Sequence, residues 1–435
     1  MEIAIGKRYH IWPSHLGQDM QIFKKLLLLG LLTVASLLVG CGQEAVLDEQ
    51  DGRPLGVSDS EIRIGASLPL SGHAQYLGIQ TLRGAMAYLD HVNEQGGVHG
   101  RKISLVAYDD AYDPPRCLAN TQKLIIEDQV FALSCYVGTP TTVKIIPLVD
   151  QAAIPLVGMF TGANDLRVPF NRYLINVRPS YYKETEEAVR HMVEDLGLSK
   201  IAVFYQYDAY GFDGLTGTEL ALKKYGLAPI AKGNYIRGTG HVDEGLDKIA
   251  SSGAEAVVMI GTYEVCATFV HKARARGFDP LFYHVSFVGA EELARRLEGE
   301  EDALVLMSQV VPPPTQDLRG EGHDVVDYAN LLSHYYPQDK PNYVGLEAFL
   351  NAKVLVEGLR RAGPNLTREK FIDAIESMQD YALMQGISVI FGPDDHQGLD
   401  QVYFTKLTNG SFAPIQDWSD LRRALIKKRE PAEAS

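Results

Sequence analysis

Residues 61–110 read EIRIGASLPLSGHAQYLGIQTLRGAMAYLDHVNEQGGVHGRKISLVAYDD, and this stretch decides the fold class of the chain. Its two aliphatic runs, at 62–68 and 103–108, predict strands. The stretch between them predicts a helix with one buried face, because its apolar residues recur at helical spacing: Leu82, Ala85, Met86, Leu89 and Val92. A strand, a helix and a second strand form a βαβ unit, so the sequence predicts a parallel sheet.

The same alternation of short aliphatic runs and longer amphipathic stretches continues along the chain. Further strands are predicted at 130–135, 154–158, 200–205, 228–236, 255–260, 281–285 and 303–310, with short last strands near 387–391 and 401–407. This order of elements predicts an α/β fold built on parallel sheets.

Two proline-containing segments interrupt the alternation. Arg178-Pro179-Ser180 and Val311-Pro312-Pro313-Pro314 cannot continue a regular element, because proline fixes φ and lacks an N–H group. We interpret them as crossovers between two lobes, since 435 residues exceed one ordinary core. The first lobe is predicted to comprise 61–178 plus 312–384, and the second 179–311 plus 385–420, followed by a C-terminal tail at 421–435.

The N-terminal segment has the pattern of an export signal. Lys24 and Lys25 precede an apolar run from Leu26 to Val39, and Leu38-Val39-Gly40-Cys41 follows. Fourteen residues are too few to span a bilayer, which needs about 20. The last four resemble the bacterial lipobox, which implies a lipid on Cys41 and a location on a membrane, facing the periplasm or the cell exterior. The alternative is a signal anchor with a chance cysteine.

The segments around this signal follow from it. Residues 1–40 are predicted to be the signal peptide, with Met20 as the true start, because residues 1–19 carry no export pattern of their own. Residues 41–60 are polar, acidic and poor in aromatic residues, which predicts a flexible tether between the lipid and the folded body.

Composition and motifs exclude several classes of function. A formal net charge of −14 without a basic patch argues against nucleic-acid binding. No zinc-type cysteine spacing, His-Glu-x-x-His, GxSxG elbow or Walker loop occurs, so we predict no metal, no cofactor and no catalysis. A Rossmann-type enzyme is a weak alternative, because the glycines at 211, 214 and 217 have GxxGxxG rather than GxGxxG spacing.

Three motifs resemble one known family. They are Ile64–Gly72 (IGASLPLSG) followed by Ala74-Gln75-Tyr76, then NEQGGVHG at 93–100, and Tyr108-Asp109-Asp110 with Asp113-Pro114. From about Ile62 to Phe412 the chain resembles the branched-chain amino-acid-binding family, the type I periplasmic solute-binding proteins of ABC importers. The resemblance implies two Rossmann-like lobes with parallel-sheet cores joined by crossover hinges. It further implies a small ligand between the lobes and a membrane permease as partner, and we expect a monomer.

The ligand site is predicted at the strand tips, because ligands of open parallel sheets bind outside the carboxyl ends of the strands. Thr139-Pro140 predicts the N-cap and first residue of a helix whose free amides would bind a ligand carboxylate. The alternative is that Thr139 only caps its helix. With the positions that the resemblance implies, the predicted ligand-binding residues are Tyr76, Thr139, Thr161, Gly162, Asn164, Tyr210, Tyr263 and Ser286.

Ser286 departs from the family pattern. The amino-acid binders of the family usually have an acidic residue there, which pairs with the ammonium group of the ligand. A buried ammonium group without a carboxylate partner is costly. Either Asp208 or Glu264 takes that role, or the ligand lacks an ammonium group, so an amino acid, an amide and a small carboxylate all stay open as ligands.

Three cysteines follow Cys41 in the chain. Cys117 at a helix start and Cys135 at a strand end are predicted at one sheet edge, and the family carries a disulfide in this neighbourhood. This pair is therefore a possible disulfide, with two free thiols as the alternative, and Cys266 is predicted to be buried and free.

These observations predict an exported solute-binding lipoprotein of an ABC importer. A ligand sensor of the same fold, which signals to a membrane receptor, would show the same sequence features.

Overall fold

The structure is a computed structural model that describes residues 49–50, 53–300, 302–314 and 327–429. Contacts divide the chain into two units at residue 50, and the second, residues 51–435, is compact. The first includes the two-residue strand β1 (Glu49–Gln50), and the second opens with β2 (Arg53–Pro54). The predicted signal peptide and Cys41 lie outside the described residues.

A five-stranded parallel sheet forms the first lobe, in the order β4-β3-β5-β6-β7. Its strands are β3 (Glu61–Leu68), β4 (Lys102–Asp109), β5 (Ala132–Ser134), β6 (Leu156–Val157) and β7 (Leu174–Ile175). β3 and β4 are the two strands of the βαβ unit expected from residues 61–110, paired from Glu61 with Lys102 to Leu68 with Asp109. β7 was not predicted, because its two aliphatic residues are not part of a longer aliphatic run, unlike those of β6.

A seven-stranded sheet forms the second lobe, in the order β16-β15-β12-β11-β10-β8-β9. Its strands are β8 (Ile201–Gln206), β9 (Lys232–Tyr235), β10 (Ala256–Ile260), β11 (Leu281–His284), β12 (Val305–Gln309), β15 (Tyr403–Thr408) and β16 (Ser411–Pro414). β8 to β12 are parallel, whereas β15 and β16 are antiparallel to their neighbours. A separate hairpin joins β13 (Tyr381–Met384) to β14 (Ile387–Val389). The predicted α/β fold with two parallel-sheet lobes is confirmed.

Twelve α-helices occur in the part of the chain that the structure describes. They are α1 (Gln75–Glu94), α2 (Pro114–Ile126), α3 (Thr139–Ala152), α4 (Tyr181–Arg190), α5 (Ala209–Lys223), α6 (Asp243–Ala250), α7 (Tyr263–Ala275), α8 (Ala290–Arg296), α9 (Tyr328–Tyr335), α10 (Tyr343–Ala362), α11 (Arg368–Glu376) and α12 (Trp418–Arg429). α10 packs along α1, which brings α9, α10 and α11 to the lobe of the first sheet. None of these helices is long and apolar enough to cross a membrane.

The first crossover lies between β7 and α4. Ser180 begins α4 there, because its hydroxyl oxygen accepts the Lys183 N–H at 3.1 Å. The later segment around Gln397 also lies at this crossover. Asn176 and Gln397 form a β-bridge, and the Gln397 side chain donates to the Arg178 carbonyl oxygen at 2.6 Å. The chain therefore passes the lobe boundary beside Arg178 more than once.

The last residues of the segment predicted as a tether, 41–60, pack on the first lobe. The Arg63 N–H donates to the Gly56 carbonyl oxygen at 2.8 Å, and Val57 pairs with Ile62. Gly56 is buried so closely against the backbone that a β-carbon there would lie 2.2 Å from the Phe131 nitrogen.

The segment 421–435, expected to be a tail, begins as packed helix. Its described part continues α12, which buries Leu421 and Leu425. At the start of this helix the Trp418 ring stacks on His191 with ring centres 3.9 Å apart.

The predicted disulfide between Cys117 and Cys135 is not formed. Cys117 packs with Leu133 in the core on one face of the first sheet, whereas Cys135 packs with Ala132 on the other. Side chains alternate along a strand, but Cys135 follows β5 with a φ of 59°, and this left-handed conformation turns its side chain away from the face that alternation predicts. Cys266 is buried and free, as predicted, and burial raises the pKa of all three thiols.

Candidate functional site

Six strand tips supply the residues of the lobe boundary: β3, β5 and β6 from the first lobe, and β8, β10 and β11 from the second. Tyr76, after β3, meets Tyr263, after β10. The Tyr76 N–H donates to the Tyr263 hydroxyl oxygen at 3.3 Å, and the two rings lie edge to face with centres 6.1 Å apart. The structure therefore brings predicted residues of the two lobes into direct contact.

Thr139 does not cap α3 as predicted. The helix begins at Thr139, and Gly138 is its N-cap, with no side-chain capping bond. The Thr139 hydroxyl is instead 2.7 Å from the Thr161 hydroxyl, and both residues are buried. Gly138 can precede the helix because its φ of 93° and ψ of 149° belong to a region that glycine alone adopts readily.

Gly162 and Asn164 make contacts with the second lobe. The Gly162 carbonyl oxygen accepts the Tyr181 N–H at 2.7 Å, and a β-carbon at Gly162 would lie 2.7 Å from the same nitrogen. The Asn164 N–H donates to Asp213 Oδ1 at 2.9 Å. Burial raises the Asp213 pKa to about 7. The backbone approach expected at Gly162 is therefore made by Tyr181.

Tyr210 is fully buried at the start of α5. Its hydroxyl donates to the Gly261 carbonyl oxygen at 3.1 Å, and its ring centre lies 4.7 Å from the ring centre of Phe287. Phe287, after β11, also contacts two rings of the first lobe. Its ring centre lies 5.6 Å from that of Phe160 and 6.0 Å from that of Tyr112. Phe287 was missed from the sequence, although its signal was a large aromatic residue directly after Ser286.

Ser286 belongs to a buried charged network. Its N–H donates to Glu184 Oε2 at 2.9 Å, its hydroxyl donates to Glu184 Oε1 at 2.9 Å, and it also contacts the Arg178 guanidinium. Arg178 donates to Glu184 at 2.9 Å and to Glu347 at 3.4 Å. Ser308 Oγ donates to Glu184 Oε2 at 2.5 Å, so both oxygens of Glu184 are occupied.

Glu347 completes this network from α10. Burial raises the Glu347 pKa to about 7, although the adjacent Arg178 lowers it. Arg178 is 1% exposed and lies 5.2 Å from the Phe160 ring centre. The network therefore joins the first crossover to the helices of both lobes.

Asp208 and Glu264, the two acids considered as substitutes at the Ser286 position, differ in their surroundings. Asp208 caps α5 through the Tyr210 N–H at 3.1 Å and also accepts from Gln206 at 2.7 Å and Arg237 at 3.2 Å. Among the described residues, Glu264 has one long ion-pair contact, 3.8 Å to Arg296, and its side chain is 51% exposed. Asp208 is thus occupied within its own lobe, whereas Glu264 remains accessible.

Glu264 lines a cavity of about 350 Å³ between the lobes. Its first-lobe side is formed by residues of α1 and the loop before it: Gly72, His73, Gln75, Tyr76, Ile79, Gln80 and Arg83. Its second-lobe side is formed by α7 and α8: Tyr263, Glu264, Glu292 and Arg296. Tyr76 and Tyr263 are the predicted ligand-binding residues that line it. A volume above about 300 Å³ is within the range of small-molecule sites.

Charged and aromatic side chains from both lobes line the boundary. Within the described ranges, no group of three histidine, cysteine or acidic side chains is placed to hold a metal ion. Burial lowers the pKa of His73, which borders the cavity, and Arg237 lowers it further. The cavity presents charges of both signs together with aromatic rings, an arrangement that could accommodate a small polar molecule.

Comparisons with known proteins agree with this architecture. A family model for periplasmic binding proteins matches residues 61–411. The chain is similar to the crystal structure of a possible leucine/isoleucine/valine-binding protein from Rhodopirellula baltica, with 32% identity and a TM-score of 0.78. This similarity covers 85% of this chain and all of that one.

Two relatives match over shorter stretches. An amino acid binding protein of Pseudomonas aeruginosa is 27% identical over 282 residues, which are 64% of this chain and 71% of that protein. Leu/Ile/Val-binding protein homolog 8 of Brucella abortus is 24% identical over 233 residues, 51% of this chain and 57% of that protein. The chain thus spans little more than half the length of the Brucella relative.

Proposed function

Because this chain belongs to the periplasmic binding protein family, we propose that it is an exported solute-binding lipoprotein of an ABC importer. It captures a small amino-acid-like ligand between its two lobes, delivers it to a membrane permease and performs no reaction on it. The lipobox-like residues 38–41 support anchoring through a lipid on Cys41.

The observation that carries this proposal is the cavity that both lobes line, bordered by the contact between Tyr76 and Tyr263. A ligand in such a place touches both lobes only when they are closed. It therefore stabilises the closed form by the difference between its contacts in the closed and open forms.

The names of similar proteins support an amino acid as the ligand. The Rhodopirellula protein is described as possibly binding leucine, isoleucine or valine, and the Pseudomonas relative as binding amino acids. The opposite charges of Glu264 and Arg83 at the cavity suit the ammonium and carboxylate groups of such a molecule.

A thermal-shift screen of the purified protein tests the proposal. The ligands are the twenty protein amino acids, small amides and short-chain carboxylates, each followed by mass spectrometry of the recovered ligand. A ligand that binds only the native state stabilises it by about 2.7 kcal/mol at 100 times its Kd, so at least one amino acid is expected to raise the Tm. No shift with any of them, or conversion of the ligand, would contradict the proposal.

A further inference from the structure

The strand tips below the cavity are filled by the protein itself. Phe287 lies between Phe160 and Tyr210, and all three rings are at most 1% exposed. The hydroxyls of Thr139 and Thr161 bond to each other. These two hydroxyls and these three rings are thus paired with one another, whereas the buried hydroxyls of Tyr181 and Thr262 have no hydrogen-bond partner among the described residues.

The acid nearest to Ser286 is also occupied. Glu184 is fully buried and its two oxygens accept from Arg178, Ser286 and Ser308. An ammonium group needs a carboxylate partner when it leaves water, because an unpaired buried charge is costly. Recognition of an ammonium group at Ser286 would therefore require that this network be broken.

Glu264 offers a carboxylate in the cavity without such a cost. It lies in the first turn of α7, next to Tyr263, and its one ion pair with a described residue is the 3.8 Å contact with Arg296. Arg296 has a closer partner, since its Nε donates to Glu292 at 2.8 Å, and it lies over the Tyr263 ring. The Glu264 carboxylate therefore has room to accept a ligand ammonium group.

Arg83 offers the opposite charge from the other lobe. It lies on α1, its side chain is 37% exposed, and its Nη1 donates to Asp339. A guanidinium group has five N–H donors in a planar fork, so donors beyond the Asp339 contact are available for a carboxylate. The cavity thus has a cation on its first-lobe side and an accessible anion on its second-lobe side.

We propose that this cavity recognises the amino-acid group itself, with Glu264 pairing with the ligand ammonium group and Arg83 with the ligand carboxylate. This assignment rests on the proposed function. Each charge belongs to a different lobe, so one zwitterion joins α1 to α7 and both pairs form only in the closed protein. The ligand class is therefore amino acids that carry both charges, and the strand-tip rings serve as packing beneath them.

Isothermal titration calorimetry tests this assignment. The full protein and two single-residue variants are each titrated with the twenty protein amino acids. For every amino acid that binds, the analogue lacking the ammonium group and the analogue lacking the carboxylate are titrated as well. Glu264→Gln is expected to weaken amino-acid binding at least tenfold and to leave the analogue without the ammonium group unaffected. Arg83→Met is expected to weaken amino-acid binding similarly and to leave binding of the analogue without the carboxylate unaffected.

Controls separate recognition from folding. Glu244→Gln removes a carboxylate that is 85% exposed on α6, outside the cavity, and is expected to bind as the unchanged protein does. If Arg83→Met fails to fold without its Asp339 pair, Arg83→Lys keeps that charge while losing the planar fork, and is expected to weaken binding.

The outcomes distinguish the assignment from the proposed function. If an amino acid binds the unchanged protein and binds Glu264→Gln and the folded Arg83 variant with equal affinity, the assignment is wrong and the proposed function stands. If none of the twenty amino acids binds the unchanged protein, the amino-acid function fails and the assignment fails with it.

Discussion

At the scale of single residues, the lobe boundary contains several charges and polar atoms that are shielded from water. Arg178, Glu184 and Glu347 are all buried, and each is stable only because the others are present. Such a network determines which side chains remain available to a ligand. Here it occupies Ser286, so the predicted position of the ammonium partner is used within the protein.

His284 is a buried residue without such compensation. It ends β11 fully buried, and neither ring nitrogen has a hydrogen-bond partner in the part of the chain that the structure describes. Burial lowers the His284 pKa from its ordinary value near 6.5 to about 3. Below pH 6.5 the unfolded state therefore binds a proton that the native state does not. The free energy of unfolding decreases as the pH is lowered from 6.5 to about 3.

We predict that His284→Leu raises the free energy of unfolding at pH 7 by about 1–2 kcal/mol, because it removes an unpaired buried N–H group. At pH 5 the gain should grow by about another 2 kcal/mol, since the unfolded variant lacks the imidazole that takes up the proton. Urea denaturation at both pH values measures this. His241→Gln, at an exposed position, is the control, and an equal effect of both variants would contradict the prediction.

At the scale of elements, the starts of helices determine what the strand tips present. α2, α5 and α10 begin at the side chains of Asp113, Asp208 and Asn342, which accept backbone N–H groups. α3 begins instead at Gly138, and its first turn packs on Thr161 and on the Tyr112 ring. The position of α3 therefore depends on a residue without a side chain.

We predict that Gly138→Ala destabilises the protein strongly. A β-carbon at 138 would lie 2.1 Å from Tyr112 Cε2, and the backbone conformation is itself unfavourable for alanine. The expected loss is about 3 kcal/mol, of which roughly 1–2 kcal/mol is conformational and the rest overpacking. Urea denaturation of the purified variant measures it.

Gly226→Ala is the matched control for this substitution. Gly226 also has a positive φ, of 69°, but nothing lies within 4 Å of a β-carbon built there. It should lose only the conformational part, about 1–2 kcal/mol. Equal losses at the two positions would mean that the Tyr112 contact does not hold α3 in place.

At the scale of the whole molecule, the two lobes meet through aromatic rings as well as through charges. Phe287 of the second lobe contacts Phe160 and Tyr112 of the first. Because these contacts exist only when the lobes are close together, they contribute to the energy of closure. In the proposed function, the same rings would therefore set the balance between the open and closed forms that a ligand shifts.

We predict that Phe287→Ala shifts the unliganded protein towards an open form. Small-angle X-ray scattering should show a radius of gyration above the value of about 21 Å expected for a compact body of this size. Phe212→Ala, at an exposed ring that contacts Tyr205 and Tyr207 of its own lobe, is the control and should leave the radius unchanged. An unchanged radius for Phe287→Ala would exclude a role in closure.

Several features of the molecule were predictable because their signals are local. The aliphatic runs and helical spacing of residues 61–110 predicted β3, α1 and β4, and the motifs at 64–76, 93–100 and 108–114 indicated the family, which the comparisons confirm. The short strands β7 and β16 gave no such signal. The cavity residues Arg83 and Arg296 were also missed, because charged residues on exposed helix turns look alike in a sequence.

By itself, the sequence determined the α/β fold and the strand tips at which the two lobes meet, because hydrophobic period and turn residues act over short distances along the chain, and its motifs indicated the family by their resemblance. Only the tertiary structure decided which tip residues remain accessible. Hydrogen-bond partners such as Thr161 for Thr139, and Glu184 for Ser286, come from distant parts of the chain. Such hydrogen bonds form only once the lobes have packed together. In the packed structure Ser286 is bonded to Glu184, whereas the Glu264 carboxylate remains accessible.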